Sequence, residues 1–437
     1  MANQQLKRAL GKSFSIAACV GTIIGLGILR TPGEIAKTIQ DPYTYMGLWL
    51  LGGLFVLLST LVVAELISMT QKSGGPYVLI ANAFGPYPGF LLGWTDWLAQ
   101  CASGALKAVV LMEYAALLVP ELKPFITPGA LIISSLFALL QLGGVKLSGG
   151  VLQVAATVFG LILLTVSGSL LFGDGSGSQV ADSASVIIST STGWAHYGLV
   201  VAAIVFTYDG WISASYYSSE VDGGGRSAAI GSIKGVLFVI ALYLLLNGML
   251  VLNVPLEVLD GHELALAGAL DYLYGAGAGM FIIFAALFIL LAHQNIQYMA
   301  ATRTIYALSV DGLGSKRATV VSERGTPTGA LLVTWGLTMM LILAGGFEFL
   351  LNMSALLFIV MYVALVIGVF RLRRKAPDAS RPFRAWGFPF TGFICAIGWI
   401  AVAVFVAVMD LRSSAYAVVL TAISVPVFLW LKSRRGL

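Results

Sequence analysis

The chain has 437 residues, of which 58% are hydrophobic and only 10% charged. A water-soluble domain carries about 25% charged residues, so this one has too little polar surface to face water on all sides. Its net charge of +5 is spread over short loops and termini, and nothing further in the sequence supports a nucleic-acid partner.

Apolar runs of about 20 residues, each long enough to cross a hydrocarbon core ~30 Å thick, recur from end to end. They are continuous rather than alternating, which excludes a β-barrel and leaves an all-α helix bundle in the lipid bilayer. The first run, from near Phe14, lacks a small-residue cleavage site and reads as a span, not a removable signal peptide. Turn-rich gaps divide the chain into twelve expected spans. They run at about 14–38, 46–70, 87–119, 127–145, 149–173, 194–220, 228–254, 273–308, 328–345, 350–370, 391–409 and 414–432. The whole chain reads as one polytopic membrane domain: five spans over 14–173, five over 194–370, and two more over 391–432.

Lysines and arginines concentrate on alternate gaps, and the opposite gaps are poor in them. Lys7, Arg8 and Lys12 precede span 1, and Lys72, Lys146, Arg226 and Lys234 follow spans 2, 4 and 6. Arg303, Lys316, Arg317 and Arg324 follow span 8; Arg371, Arg373, Arg374, Lys375, Arg381 and Arg384 follow span 10. Lys432, Arg434 and Arg435 end the chain. The opposite gaps carry Asp174, Asp182, Glu257, Asp260, Glu263 and Asp271. The positive-inside bias then places both termini in the cytoplasm, in a cell (inner) membrane.

Two spans contain patterns that a continuous helix disfavours. Span 1 reads Gly21-Thr-Ile23-Ile24-Gly25-Leu26-Gly27-Ile-Leu-Arg30-Thr31-Pro32-Gly33, and span 6 reads Phe206-Thr207-Tyr208-Asp209-Gly210-Trp211. Interior glycine costs a helix about 1 kcal/mol relative to alanine, and proline about 3. These are the first spans of two successive five-span blocks, and an odd number of spans inverts the second block against the first. Interruptions at matching places in inverted halves point to a substrate site at mid-membrane. Freed amides there can hold a carboxylate, and freed carbonyls a cation or ammonium. Simple packing glycines are the plain alternative. The candidate contacts are Ile23, Ile24, Gly25, Leu26 and Gly27 with Phe206, Thr207, Tyr208, Asp209 and Gly210.

Ionisable residues within spans require a role. Asp209 serves either the cavity's electrostatics or the second half-helix as a cap. Arg30 and Glu34, spaced i, i+4, form a surface ion pair or an external gate. Glu65 reads as a scaffold contact, His293 as a satisfied polar contact, and Asn295 as cavity-lining. Lys107 stands out near the middle of span 3. It either faces the cavity, balancing Asp209 or meeting a substrate carboxylate, or turns to Glu113 or a backbone carbonyl.

The three cysteines, Cys19, Cys101 and Cys395, lie in apolar runs with no metal-binding spacing, and read as packing residues. Only three histidines occur, at 196, 262 and 293. No Ser–His pair, Walker loop or metal cluster can be assembled, so neither an enzyme nor a metal or other cofactor is expected. A channel or receptor fits the topology, but the paired interruptions favour a carrier.

At these residues the chain resembles the amino acid–polyamine–organocation superfamily, and most its L-amino-acid-transporter branch. Gly25-Leu26-Gly27-Ile28 with Thr31-Pro32-Gly33, and Phe206 through Trp211, are similar to that family's broken segments. So are Ala64-Glu65-Leu66, Ser73-Gly74-Gly75, Tyr77, Ala83-Phe84-Gly85 and Gly93-Trp94, and Thr302-Arg303 with Tyr306-Ala307 and Asp311-Gly312. The resemblance covers most of the chain. It implies a five-plus-five inverted repeat with two extra helices, and amino-acid transport by alternating access. Neutral L-amino acids lead as substrates, with cationic amino acids or polyamines as the alternative. Three departures stand out. Gly160 occupies a position where relatives often carry a lysine. The 119–127 loop has no cysteine for a disulfide to an ancillary subunit. Gly223-Gly224-Gly225-Arg226 replaces Asn-Pro-x-Arg, suggesting a looser connection.

Overall fold

The computed structural model describes residues 6–173, 194–260, 264–344, 347–409 and 411–433. Asp174, Asp182, His262, Glu263, Arg434 and Arg435 lie outside the described residues. Among those described, every named element is helical.

Span 1 is two helices, α1 (Lys12–Ile23) and α2 (Leu26–Ala36), parted at Ile24-Gly25. Span 2 is α3 (Pro42–Ser68), opened by Asp41, whose carboxylate accepts the Thr44 amide at 2.7 Å, with Pro42 in the first turn. Hydrogen bonding from the Thr44 side chain, and then from its amide, holds the Asp41 carboxyl below its usual range. A short helix, α4 (Pro76–Phe84), precedes span 3, α5 (Pro86–Leu118). Spans 4 and 5 are α6 (Ile126–Leu142) and α7 (Val145–Ser169).

Span 6 is α8 (Trp194–Thr207), followed by a turn and a 3₁₀ segment at Ser213–Tyr217 rather than helix as far as 220. Span 7 is α9 (Gly224–Asn253). The next gap holds α10 (Leu256–Leu259) and α11 (Ala265–Tyr274). Span 8, α12 (Met280–Val310), therefore starts later than the expected 273, because Gly275, at φ 91°, ends α11 in a backbone region that side chains disfavour. The rest are α13 (Thr328–Ala344), α14 (Phe347–Lys375), α15 (Phe390–Met409) and α16 (Leu411–Ser433). Among the described residues, ten stretches are long and apolar enough to cross a membrane, and they coincide with ten of the expected spans; the described parts of α8 and α13 are shorter.

α5 is the axis of the bundle and packs against α4, α6, α12, α13 and α14. α1 lies against α9 and α7, and α9 against α3. The Lys/Arg-rich face is tied by buried charge. Arg303 on α12 makes a bidentate pair with Glu220, Nε–Oε1 and Nη2–Oε2 both at 2.9 Å, and both side chains are buried. The Glu220 carbonyl accepts the amides of Ala9 and Leu10 at 3.0 and 2.9 Å, and Asp222 N–H returns a bond to Leu10. The N-terminal segment is thus stitched to the end of the broken span 6. Glu65 takes Arg373 and Arg381 together with the Ala385 amide. The glycine run after span 6 is tight, contrary to the looser connection expected: a Cβ on Gly225 would meet Thr70 O at 2.1 Å and Ile67 O at 2.2 Å.

Removing one partner of a buried ion pair strands the other charge. Glu220→Ala is expected to cost about 3–5 kcal/mol. A thermal melt of purified protein should drop sharply, and Glu220→Met with Arg303→Met should recover much of the loss. A melt of Glu220→Ala equal to the parent's would refute this account of the face.

Candidate functional site

The two interruptions lie against each other. α1 ends at Ile23, and Gly25 turns the chain in an extended conformation before α2 begins with no side-chain cap. α8 ends at Thr207, and Gly210, at φ 108°, reverses the chain. A Cβ on Gly210 would stand 2.6 Å from Thr22 Cγ2 and 3.0 Å from its carbonyl carbon, so only glycine permits this approach. On the other side, a Cβ on Gly27 would meet Thr207 Cα at 3.1 Å, and Thr31 Oγ1 shares a 2.7 Å hydrogen bond with Thr207 Oγ1.

Interrupted helices leave carbonyls without intrahelical partners. The Tyr243 hydroxyl of α9 stands between them, 3.1 Å from Ile23 O and 3.5 Å from Thr207 O, the last residues of α1 and α8. Ser213 Oγ donates to Ala18 O at 2.9 Å, joining the 3₁₀ segment to α1. Tyr243, Tyr208 and Trp49 pack as an aromatic wall, with centroids 5.0–6.0 Å apart.

Beside the interruptions lies a cavity of about 50 Å³. It is lined by Thr22 of α1, Gln100, Ser103 and Lys107 of α5, Asp209, Gly210, Ile212, Ser213 and Tyr216 of the broken span, Gln297 of α12, and Phe358, Met361 and Tyr362 of α14. Of the sequence candidates, Lys107, Asp209 and Gly210 line it. Tyr362 donates to the Asp209 carboxylate, and the charges of Asp209 and Lys107 act on each other. Among the described residues, Lys107 donates no hydrogen bond and makes no ion pair within 4 Å, to Glu113 or to any other group.

The other candidates pack around the cavity and do not line it. Ile23, Ile24 and Tyr208 are buried in the core, and Leu26 and Phe206 pack half-buried against it. Gly25 is covered by His293, whose Cε1 would lie 2.3 Å from a Gly25 Cβ. His293 is buried, with hydrogen bonds to the backbone of Gly21 and Thr22 and with Nε2 unpartnered. Asn295 is the clear correction. Its Nδ2 donates to Ser148 O at 2.7 Å and its Oδ1 accepts from Gln141 at 2.8 Å, tying α12 to α7 and α6. Gln297 faces the cavity instead, two residues on and about 200° round the helix. Arg30 and Glu34 pair at 3.8 Å, with Lys37 also on Glu34 at 3.4 Å, all partly exposed at the end of α2.

Residue-by-residue reading misses Asp96, Gln100, Ser103, Thr22, Gln297 and Tyr362. The signal for three of them is a stripe. Asp96, Gln100, Ser103 and Lys107 are spaced i, i+4, i+7 and i+11, one polar face on an otherwise apolar helix. Asp96 is buried and accepts from Tyr216 at 2.6 Å, Thr304 at 3.0 Å and Gln100 at 3.5 Å.

Tyr243→Phe keeps the aromatic wall and removes the hydroxyl at both helix ends. A buried group left unsatisfied costs about 1–3 kcal/mol. The melting temperature should fall, and transport should fall further than the melt alone accounts for. Unaltered transport would show that the interruptions do not need this hydroxyl.

The chain matches the amino acid permease family model over residues 12–428. It is 25% identical over 444 residues to the serine/threonine exchanger SteT of Bacillus subtilis, covering 99% of this chain and 98% of that one. It is also 25% identical to the b(0,+)-type amino acid transporter 1 of Mus musculus over 392 residues, covering 87% of this chain and 79% of that protein. Identity to the cystine/glutamate transporter of Homo sapiens is 25% over 402 residues, covering 87% and 77%. With this match over nearly its full length, its many apolar helices and its paired interruptions, the chain belongs to the amino acid permease family of multi-pass membrane transport proteins.

Proposed function

We propose that the protein exchanges neutral L-amino acids across the cell membrane by alternating access. The observation that carries this reading is the meeting of the two broken helices beside a cavity lined by both a cation, Lys107, and an anion, Asp209. A zwitterion offers the complement of both charges. The bundle is read as twelve spans in a five-plus-five inverted repeat, with spans 11 and 12 appended and both termini cytoplasmic. Its residues at 23–27 and 206–210 form the pivot around which the halves rock. Arg30 and Glu34 mark the outer end of that pivot.

Exchange is favoured over ion-driven uptake by Gly160. Beyond its chain neighbours and its own helix backbone nothing lies within 4 Å of where its Cβ would stand, and it offers no amine to carry a proton between helices. The naming of one relative as a serine/threonine exchanger supports the same reading and a small neutral substrate. A cationic amino acid is the second reading, supported by the Asp209 carboxylate in the cavity.

Purified protein in liposomes tests both. Labelled amino acid should enter only vesicles preloaded with unlabelled amino acid, saturably and with preference for the L form. In a panel of twenty, small neutral members should compete best. Strong uptake into empty vesicles without an ion gradient would contradict exchange, and ohmic conductance would contradict a carrier.

A further inference from the structure

We infer that the connection between α14 and α15 binds the phosphate headgroup of an anionic phospholipid through Arg374, Lys375 and Arg384. Both flanking helices are long and apolar enough to cross a membrane, one ending at Lys375 and the next beginning at Phe390, so the connection emerges at the bilayer surface.

Three observations carry it. First, the positive charge here exceeds what the protein itself engages. Residues 371–384 hold six cations and one carboxylate, Asp378. Arg373 and Arg381 are taken by Glu65 of α3. Arg371 donates to Ala83 O at 3.1 Å and lies over the Phe84 ring. Arg374, Lys375 and Arg384 are exposed, and among the described residues they make no hydrogen bond and no ion pair, to Asp378 or to any other group.

Second, the connection is held in one shape. Glu65 Oε1 accepts Arg373 Nε at 2.9 Å and Arg381 Nε at 3.0 Å, and its Oε2 accepts the Ala385 amide at 2.9 Å. Arg381 also donates to the carbonyls of Ala376, Pro377 and Ala379 at 2.7–2.8 Å, and the Phe383 amide donates to Ser68 Oγ at 3.2 Å. Arg373 and Ala385 thus meet on one carboxylate. Their chain neighbours, Arg374 and Arg384, are brought to the same end of the loop. Cations fixed in advance lose little freedom on binding an anion.

Third, the surroundings suit a lipid and not a soluble anion. Trp386 and Phe390, just beyond Arg384, are 70% and 77% exposed, and Phe393, Ile394 and Ile397 continue an exposed apolar face along α15. Aromatic side chains at the end of a span sit at the headgroup level. A phosphate on the three cations lets its acyl chains run down that face, a contact that free phosphate cannot make. Charge that served only to orient the chain in the membrane would need no fixed loop to present it.

The test uses full-length protein in a neutral detergent. It is titrated with dioleoyl phosphatidylglycerol, whose only charge is its phosphate, with the phosphatidylcholine of the same chains, and with inorganic phosphate. Bound lipid is counted by native mass spectrometry. The parent should bind phosphatidylglycerol about 10- to 100-fold more tightly than phosphatidylcholine, and the preference should shrink as salt rises. Arg374→Gln, Lys375→Gln and Arg384→Gln together should bring it to within about threefold of unity, and Arg374→Lys with Arg384→Lys should keep it. All of these leave the Glu65 contacts in place. Should the triple variant not fold, Arg384→Gln alone carries the measurement, with an expected loss of about fivefold. Equal binding of the two lipids by the parent, or an unchanged preference in the glutamine variants, overturns the assignment. Displacement of phosphatidylglycerol by millimolar inorganic phosphate would make this a site for a soluble anion and overturn it as well.

Discussion

A backbone that stops being helical inside a membrane must find hydrogen-bond partners within the protein, because lipid offers none. That constraint organises this molecule. Two helices are interrupted at mid-bundle, and their ends meet at one hydroxyl, that of Tyr243, standing 3.1 Å from Ile23 O and 3.5 Å from Thr207 O. Glycines at 25, 27 and 210 allow the approach, since a side chain at any of them would press on His293, Thr207 or Thr22. The interruptions are therefore one joint, shared by two helices and capped from a third.

Around that joint the structure separates two kinds of polar group. Glu220 with Arg303, and Glu65 with Arg373 and Arg381, are saturated by partners and hold the Lys/Arg-rich face together. The Lys107 side of the cavity is unsaturated, with an ammonium lacking a hydrogen bond and a glutamine oxygen lacking a donor. Saturated pairs fix a conformation, because breaking one strands a charge.

The stitching of the N-terminal segment to Glu220 and Asp222 extends the same logic. It couples the entry of α1 to the exit of span 6, so both interrupted segments are anchored on one face and jointed at mid-bundle. A carrier in which the two move together needs such an anchor, and the Phe14–Tyr217 edge contact at 5.1 Å adds to it.

The sequence by itself determined the membrane class, the helical state, most spans and the places where helices 1 and 6 break. Each of these follows from local facts: length of apolar run, absence of alternation, and glycine or proline within a run. It also singled out Lys107 and Asp209, because a charge within an apolar run is conspicuous wherever it points. Only the tertiary structure decided which polar residues share a cavity. Asn295 and Gln297 are equally polar and two positions apart, and the packing of α12 turns one to Gln141 and Ser148 and the other to the cavity. His293 over Gly25, and Tyr362 on Asp209, join residues 268 and 153 positions apart. No local pattern encodes such pairs, since helix rotation and partner choice are set by the whole bundle's packing.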